Sequence, residues 1–269
     1  MTDGWRGYGE VVFPLSWPVD QYQKAVQEEQ GSLLSLAGKD ADHLMAVARQ
    51  HRHRGGIGLV HAFALETAWY DLSGKQEGVP ICELLGGSET VRVDDYLSIS
   101  EPTIQGFRDR LEQVKSGSNV VQLKLGLNSR NDDVHQIALA LEKLPDIKFL
   151  LADANGKWSV SEACEVIAKF DDSRLIWEEP CSLYEANMEV VRLSRKRVMV
   201  DQCVGEVSLA MRAVDDGLVS ALTIKPAYLG GLNVAREVRD YCADFGVGMR
   251  IDGPWCGAIA ASAILHLAV

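Results

Sequence analysis

From residue 91 onward the chain alternates short apolar runs with stretches of helical spacing. Runs at 92–98, 119–125, 147–152, 174–177, 197–200, 219–225 and 247–251 predict strands. Helical patterns follow each, at 101–115, 131–143, 159–170, 184–194, 206–216, 231–244 and 257–268. Ser159 and Glu162 form an S-x-x-E capping box, which marks a helix start there. Repeated strand-then-helix units with apolar strands predict a parallel sheet. Seven units of about 25 residues suit a closed barrel better than an open sheet with one crevice.

The first part of the chain has another texture. GWRGYGEVVFP alternates aromatic, glycine and apolar residues and predicts one strand of a hairpin, ended by Pro14. Helices are expected over 19–30, over 40–53 with Asp40 as N-cap and Leu44, Val47 and Ala48 inside, and from Val60 to Gly74. The inner face of that third helix is Phe63, Ala64, Thr67, Ala68, Asp71 and Leu72. These elements predict a partial α+β domain over 1–88 and a barrel domain over 89–269. Seven units with no eighth strand, and a start inside the small domain, make both ends look cut.

Composition narrows the function. The chain has 269 residues, 47% of them hydrophobic, which allows a sizeable core. The formal charge is −11, and the basic stretches Arg49 to Arg54 and Arg192 to Arg197 are too short for a nucleic-acid groove. The six cysteines form no CxxC and no zinc spacing, so they read as reduced thiols of a cytoplasmic protein. No apolar run reaches the length of a membrane span, and MTDGWRGYGE has no leader pattern.

In a barrel the working residues stand at the C-terminal ends of the strands. The polar residues there are Lys124, Asp153 and Asn155, Glu178 and Glu179, Asp201 and Gln202, Lys225, and Asp252. Taken alone, an Asp at such a place is more often a helix cap and a Lys a rim charge. Together, five successive strand ends carry Lys, Asp, Glu, Asp and Lys, each one barrel unit apart. Three carboxylates in one mouth repel, and a hard divalent cation with oxygen ligands removes that cost. Lysines from strands two and six would face each other across the mouth. Next to a cation and to each other they lose part of their ammonium character and can act as bases.

These motifs resemble the enolase superfamily, within it the muconate-lactonizing-enzyme-like subgroup. ALETAWYDLSGKQEGVPICELLGG looks like the segment leading from the capping domain into the barrel. LKLG, LLADANGKW, WEEP, VMVDQ and TIKPAYLGGL resemble the five site motifs. The resemblance implies an enolase-type (β/α)7β TIM barrel with a partial capping domain. It implies Lys124 and Lys225 as acid/base groups on opposite faces of a small carboxylate substrate. It further implies Asp153, Glu178 and Asp201 as ligands of one Mg²⁺ ion. Asn155 and Glu179 look like supporting or substrate-side groups. Two residues depart from the pattern: Gln122 stands where the first lysine of the K-x-K motif usually is, and Gln202 where a Glu is usual.

MRIDGPWCG, over 249–257, is similar to the branch that acts on proline derivatives, notably cis-3-hydroxy-L-proline dehydratases. On that reading Trp255 stacks on a ring or cationic nitrogen, Asp252 accepts a hydrogen bond from an amine, and the reaction is loss of water. Rival readings remain open. The same lysines would serve a racemase or epimerase of a proline betaine or dipeptide, and a cycloisomerase or o-succinylbenzoate synthase is a further option. A silent, truncated paralogue is the alternative of another class. A homo-oligomer is compatible with all of them.

Overall fold

The computed structural model describes residues 4–13, 18, 20, 23–27, 30, 36, 41–115 and 117–269. The helix expected over 19–30, the Asp40 cap and Pro14 fall wholly or partly outside them. Residues 5–13 carry no strand, against expectation. A strand needs a hydrogen-bonding neighbour, and this segment lies along a helix instead. A Cβ built on Gly7 or Gly9 would meet the carbonyl oxygens of Ala68 or Ala64 at 2.0 and 1.9 Å, so only glycine permits that approach.

The first described helices are α1 (Ala41–Arg54), α2 (Ile57–Glu77) and the short α3 (Ile81–Leu84). Thirteen residues of α2 are buried, from Gly58 to Gly74. It is apolar on most sides because neighbours enclose it, so its sequence shows little of the one-sided striping of a surface helix. Gly78, at φ 72°, ends it in the left-handed conformation.

Seven strands follow: β1 (Tyr96–Ile99), β2 (Val120–Lys124), β3 (Phe149–Asp153), β4 (Leu175–Glu178), β5 (Val198–Val200), β6 (Ala221–Ile224) and β7 (Gly248–Ile251). All pair in parallel, in sequence order. The intervening helices are α4 (Ile104–Glu112), α5 (Arg130–Lys143), α6 (Val160–Ile167), α7 (Tyr184–Ser194), α8 (Val207–Asp215), α9 (Pro226–Leu229) and α10 (Leu232–Asp244), and α11 (Ala258–Ala268) comes last. The expected capping box is formed, with Ser159 accepting from the Glu162 amide and Glu162 accepting from the Ser159 amide. A second one joins Ser129 and Asp132. Among the described residues no helix is long and apolar enough to cross a membrane.

The sheet curls but no hydrogen-bonded ladder joins β1 to β7. Side chains bridge the two edges: the Tyr96 hydroxyl donates to Asp252 at 3.1 Å, and the Arg250 guanidinium lies 5.2 Å from the centre of the Tyr96 ring. Two large apolar clusters pack helices against the outside of the sheet. A third, small cluster holds Leu151, Ile176, Met199 and Ala221, backed by Val120 and Phe149. These are alternate positions on consecutive strands, so they mark the inner face. Continued by period two toward the strand ends, that face carries Gln122, Lys124, Asp153, Glu178, Asp201, Lys225, Arg250 and Asp252.

Candidate active site

The register of β2, β3 and β4 sets Lys124 beside Asp153 and Asp153 beside Glu178. The carboxylates of Asp153 and Glu178 are fully buried, and Asp201 is nearly so. Lys124 Nζ lies 2.5 Å from Asp153 Oδ2. Lys225 Nζ lies 2.6 and 2.8 Å from the two oxygens of Asp201. The lysine side chains keep 28% and 18% exposure, so both reach solvent from opposite sides of the acidic group.

Backbone geometry at the strand ends supports the carboxylates. Asn155 and Glu179 take positive φ of 48° and 42°. An L-residue there costs about 1–2 kcal/mol. In return the Asn155 amide and side chain both donate to Asp153 Oδ1, at 2.8 and 2.6 Å. Glu179 turns away from the acidic group and accepts the backbone amides of Asp201 and Cys203, each at 2.7 Å. It thereby holds the end of β5, which carries Asp201.

Burial pushes Asp153 up to about 6, with the Glu178 charge adding to the rise and Lys124 opposing it. Burial raises Asp201 too, against the pull of Lys225. It pushes Glu179 up to about 7, opposed by the two amides.

Two side chains connect the group: Gln122, which the sequence offered as a supporting or substrate-side residue, and Arg250, which it passed over. Gln122 donates from Nε2 to Asp153 at 3.0 Å and to Glu178 at 2.8 Å, while Ser98 donates to its oxygen at 2.8 Å. Arg250 donates to both oxygens of Glu178, the Nη1 bond measuring 2.7 Å. It also stands 4.0 Å from Asp201 and 3.4 Å from Asp252. Burial opposes its charge, but Glu178, Asp252 and Asp201 together outweigh it and raise its pKa. The signal for Arg250 was its parity with Asp252 on β7, which puts both on the inner face.

Not every expected residue joins the site. Gln202 is exposed in the 3-10 turn Gln202–Val204 that follows Asp201. Trp255 is 85% exposed and lines a pocket with Ser98, Ser100, Glu101 and Arg110, beside the acidic group and linked to it through the Ser98–Gln122 hydrogen bond. Asp252 does reach the site, held by Tyr96 and Arg250.

The Mg²⁺ ion implied by the resemblance requires oxygen ligands, and the three carboxylates match it in type. The arrangement does not. Both Glu178 oxygens are taken by Arg250 and both Asp153 oxygens by nitrogen donors; Asp201 Oδ2 accepts from Lys225, and its Oδ1, buried without a hydrogen bond, lies 2.6 Å from the same ammonium. Among the described residues no three His, Cys, Asp or Glu side chains come together to hold a metal ion. As folded, these residues do not fit the ion.

Comparison with known proteins bears on the same elements. The family described as "Enolase C-terminal domain-like" matches residues 106–269. A cis-3-hydroxy-L-proline dehydratase of Roseibium aggregatum is 30% identical over 99% of this chain and 73% of its own length. The crystal structure of a mandelate racemase/muconate lactonizing enzyme from Roseovarius nubinhibens superposes with a TM-score of 0.79 at 26% identity, covering 94% of this chain and 67% of that one. A dipeptide epimerase from Enterococcus faecalis, complexed with Mg and a dipeptide, superposes with a TM-score of 0.68 at 25% identity, over 77% and 59% of the two chains. With the family match spanning more than half of the chain and the paired lysines at the mouth of a seven-stranded parallel sheet, this chain belongs to the enolase superfamily.

Proposed function

We propose that this chain removes the proton beside the carboxylate of a hydroxylated amino acid and eliminates water, with cis-3-hydroxy-L-proline as substrate. The observation that carries the reading is the pair Lys124 and Lys225, at the ends of β2 and β6, each paired with a buried carboxylate and each partly exposed. The choice of substrate is supported by the Roseibium relative and by the DGPWCG segment after β7.

In this reading one lysine, once it has given up its own proton, takes the proton from C2. The electron pair of that C–H bond becomes the C2–C3 double bond. The C3–O bond breaks with its pair, and the second lysine supplies the proton with which the hydroxyl leaves as water. The enamine then tautomerises to the cyclic imine. Gln122 and Asn155 hold Asp153 in place, and Asp153 in turn orients Lys124. Asp252 faces the same mouth and is the acceptor for the ring nitrogen's proton. A magnesium ion at these carboxylates would first have to displace Arg250 from Glu178.

Incubation with cis-3-hydroxy-L-proline in deuterated buffer, followed by proton NMR, tests the proposal. Loss of substrate with appearance of the imine is expected. Deuterium entering C2 without loss of water would replace dehydration by epimerisation, the chemistry named for the Enterococcus relative. Neither exchange nor product would overturn the use of these lysines on this substrate.

A further inference from the structure

We infer that Arg250, together with Gln122, takes the place of the divalent cation in this chain and holds the three buried carboxylates together without a metal ion. The inference goes beyond the proposed reaction, since it concerns how the site is charge-compensated whichever carboxylate is the substrate.

The connections run unbroken. Gln122 joins Asp153 to Glu178, and Arg250 joins Glu178 to Asp201. Bridging three carboxylates from adjacent strands is the task a divalent ion performs in such a donor set. Here an amide and a guanidinium perform it. The charges nearly balance: Asp153, Glu178, Asp201 and Asp252 face Lys124, Arg250 and Lys225, one negative charge in excess. A further doubly positive ion would leave the buried group with excess positive charge.

Arg250 is suited to this role. Its side chain is only 10% exposed, and its fork matches both oxygens of Glu178. The Tyr96 ring covers it from β1 and Asp252 meets Nε from its own strand end. A guanidinium keeps its charge at any working pH, so the bridge is permanent. To reach Glu178, an incoming ion would have to expel a buried cation and leave it without its partner, which is strongly unfavourable.

Calorimetric titration of the chelator-stripped chain with Mg²⁺ and with Mn²⁺, alongside thermal unfolding with and without each ion, decides the matter without reference to turnover. The native chain is expected to show no saturable site at millimolar Mg²⁺ and no shift in Tm. Arg250→Met, which removes the charge and keeps much of the apolar bulk, is expected to bind one ion at least about tenfold more tightly, because the excess positive charge is gone. Arg250→Gln serves the same purpose if the Met variant does not fold. One Mg²⁺ bound per native chain in the micromolar range would overturn the inference. So would a folded Arg250 variant whose affinity for the ion is no higher than that of the native chain.

Discussion

Lys124 and Lys225 are held in place by ion pairs with Asp153 and Asp201. Lys124→Ala and Lys225→Ala are each expected to slow C2 proton exchange by roughly 10²–10⁴-fold, the range for loss of one acid/base group. Substrate binding, measured by calorimetry, is expected to fall far less. Equal loss of binding and exchange would instead mark the lysines as substrate anchors. The lysines and carboxylates were legible as residues because their types and spacing agree along five strand ends. Arg250 was passed over: its parity with Asp252 puts it on the inner face, but its partner Glu178 is fixed only where β7 faces β4 across the interior.

At the level of elements, the strand-to-helix junctions do most to place the site. Asp153 and Glu178 end their strands and Asp201 follows its own; Asn155, two residues on, holds Asp153, and Glu179 accepts the Asp201 amide. The same logic governs the outer junctions. Gly231, at φ 142°, precedes α10, and a Cβ there would fall 2.3 Å from Glu66 Oε2. Glu66 is itself fully buried, pairing with Arg52 at 2.6 Å and accepting the Asn233 amide at 2.9 Å. Gly231→Ala is therefore expected to cost about 2–3 kcal/mol in urea denaturation, from strain plus displacement of that carboxylate. Gly217→Ala provides the contrast, since at φ 63° its Cβ would meet nothing within 4 Å. Conformational strain alone predicts about 1 kcal/mol there. In α6, Ser159→Ala removes one side of the capping box and is expected to cost about 1 kcal/mol by the same measurement.

Across the whole molecule, burial divides the six thiols. Cys82, Cys181 and Cys242 are buried, whereas Cys164, Cys203 and Cys256 are partly exposed. Burial pushes the Cys181 and Cys242 thiols up to about 11. Only the thiolate reacts with alkylating reagents. Native protein at pH 8 is expected to leave Cys82 unmodified by iodoacetamide because it is buried, and Cys181, Cys203 and Cys242 because burial raises their thiols, with all six modified in urea; mass spectrometry of the peptides reads the pattern. Labelling of Cys242 in the native chain would show that the packing between α10 and its neighbours opens readily. The seven-stranded sheet itself remains open between β1 and β7, joined there by Tyr96, Arg250 and Asp252 rather than by backbone bonds.

The alternation of strands and helices, the parallel order, the Ser159 capping box and the row of charged strand ends all follow from the sequence by itself, because each is written in local spacing. A period of two or of 3.6 reports which side of an element is buried, and the unit length reports which strand end comes next. The tertiary structure alone decided which charges meet. It turned residues 5–13 along a helix instead of into a hairpin, left Trp255 facing solvent, and brought Arg250 from β7 onto Glu178 of β4. Those outcomes depend on distances between residues far apart in the chain, set by the curl of the sheet, and no local pattern encodes them.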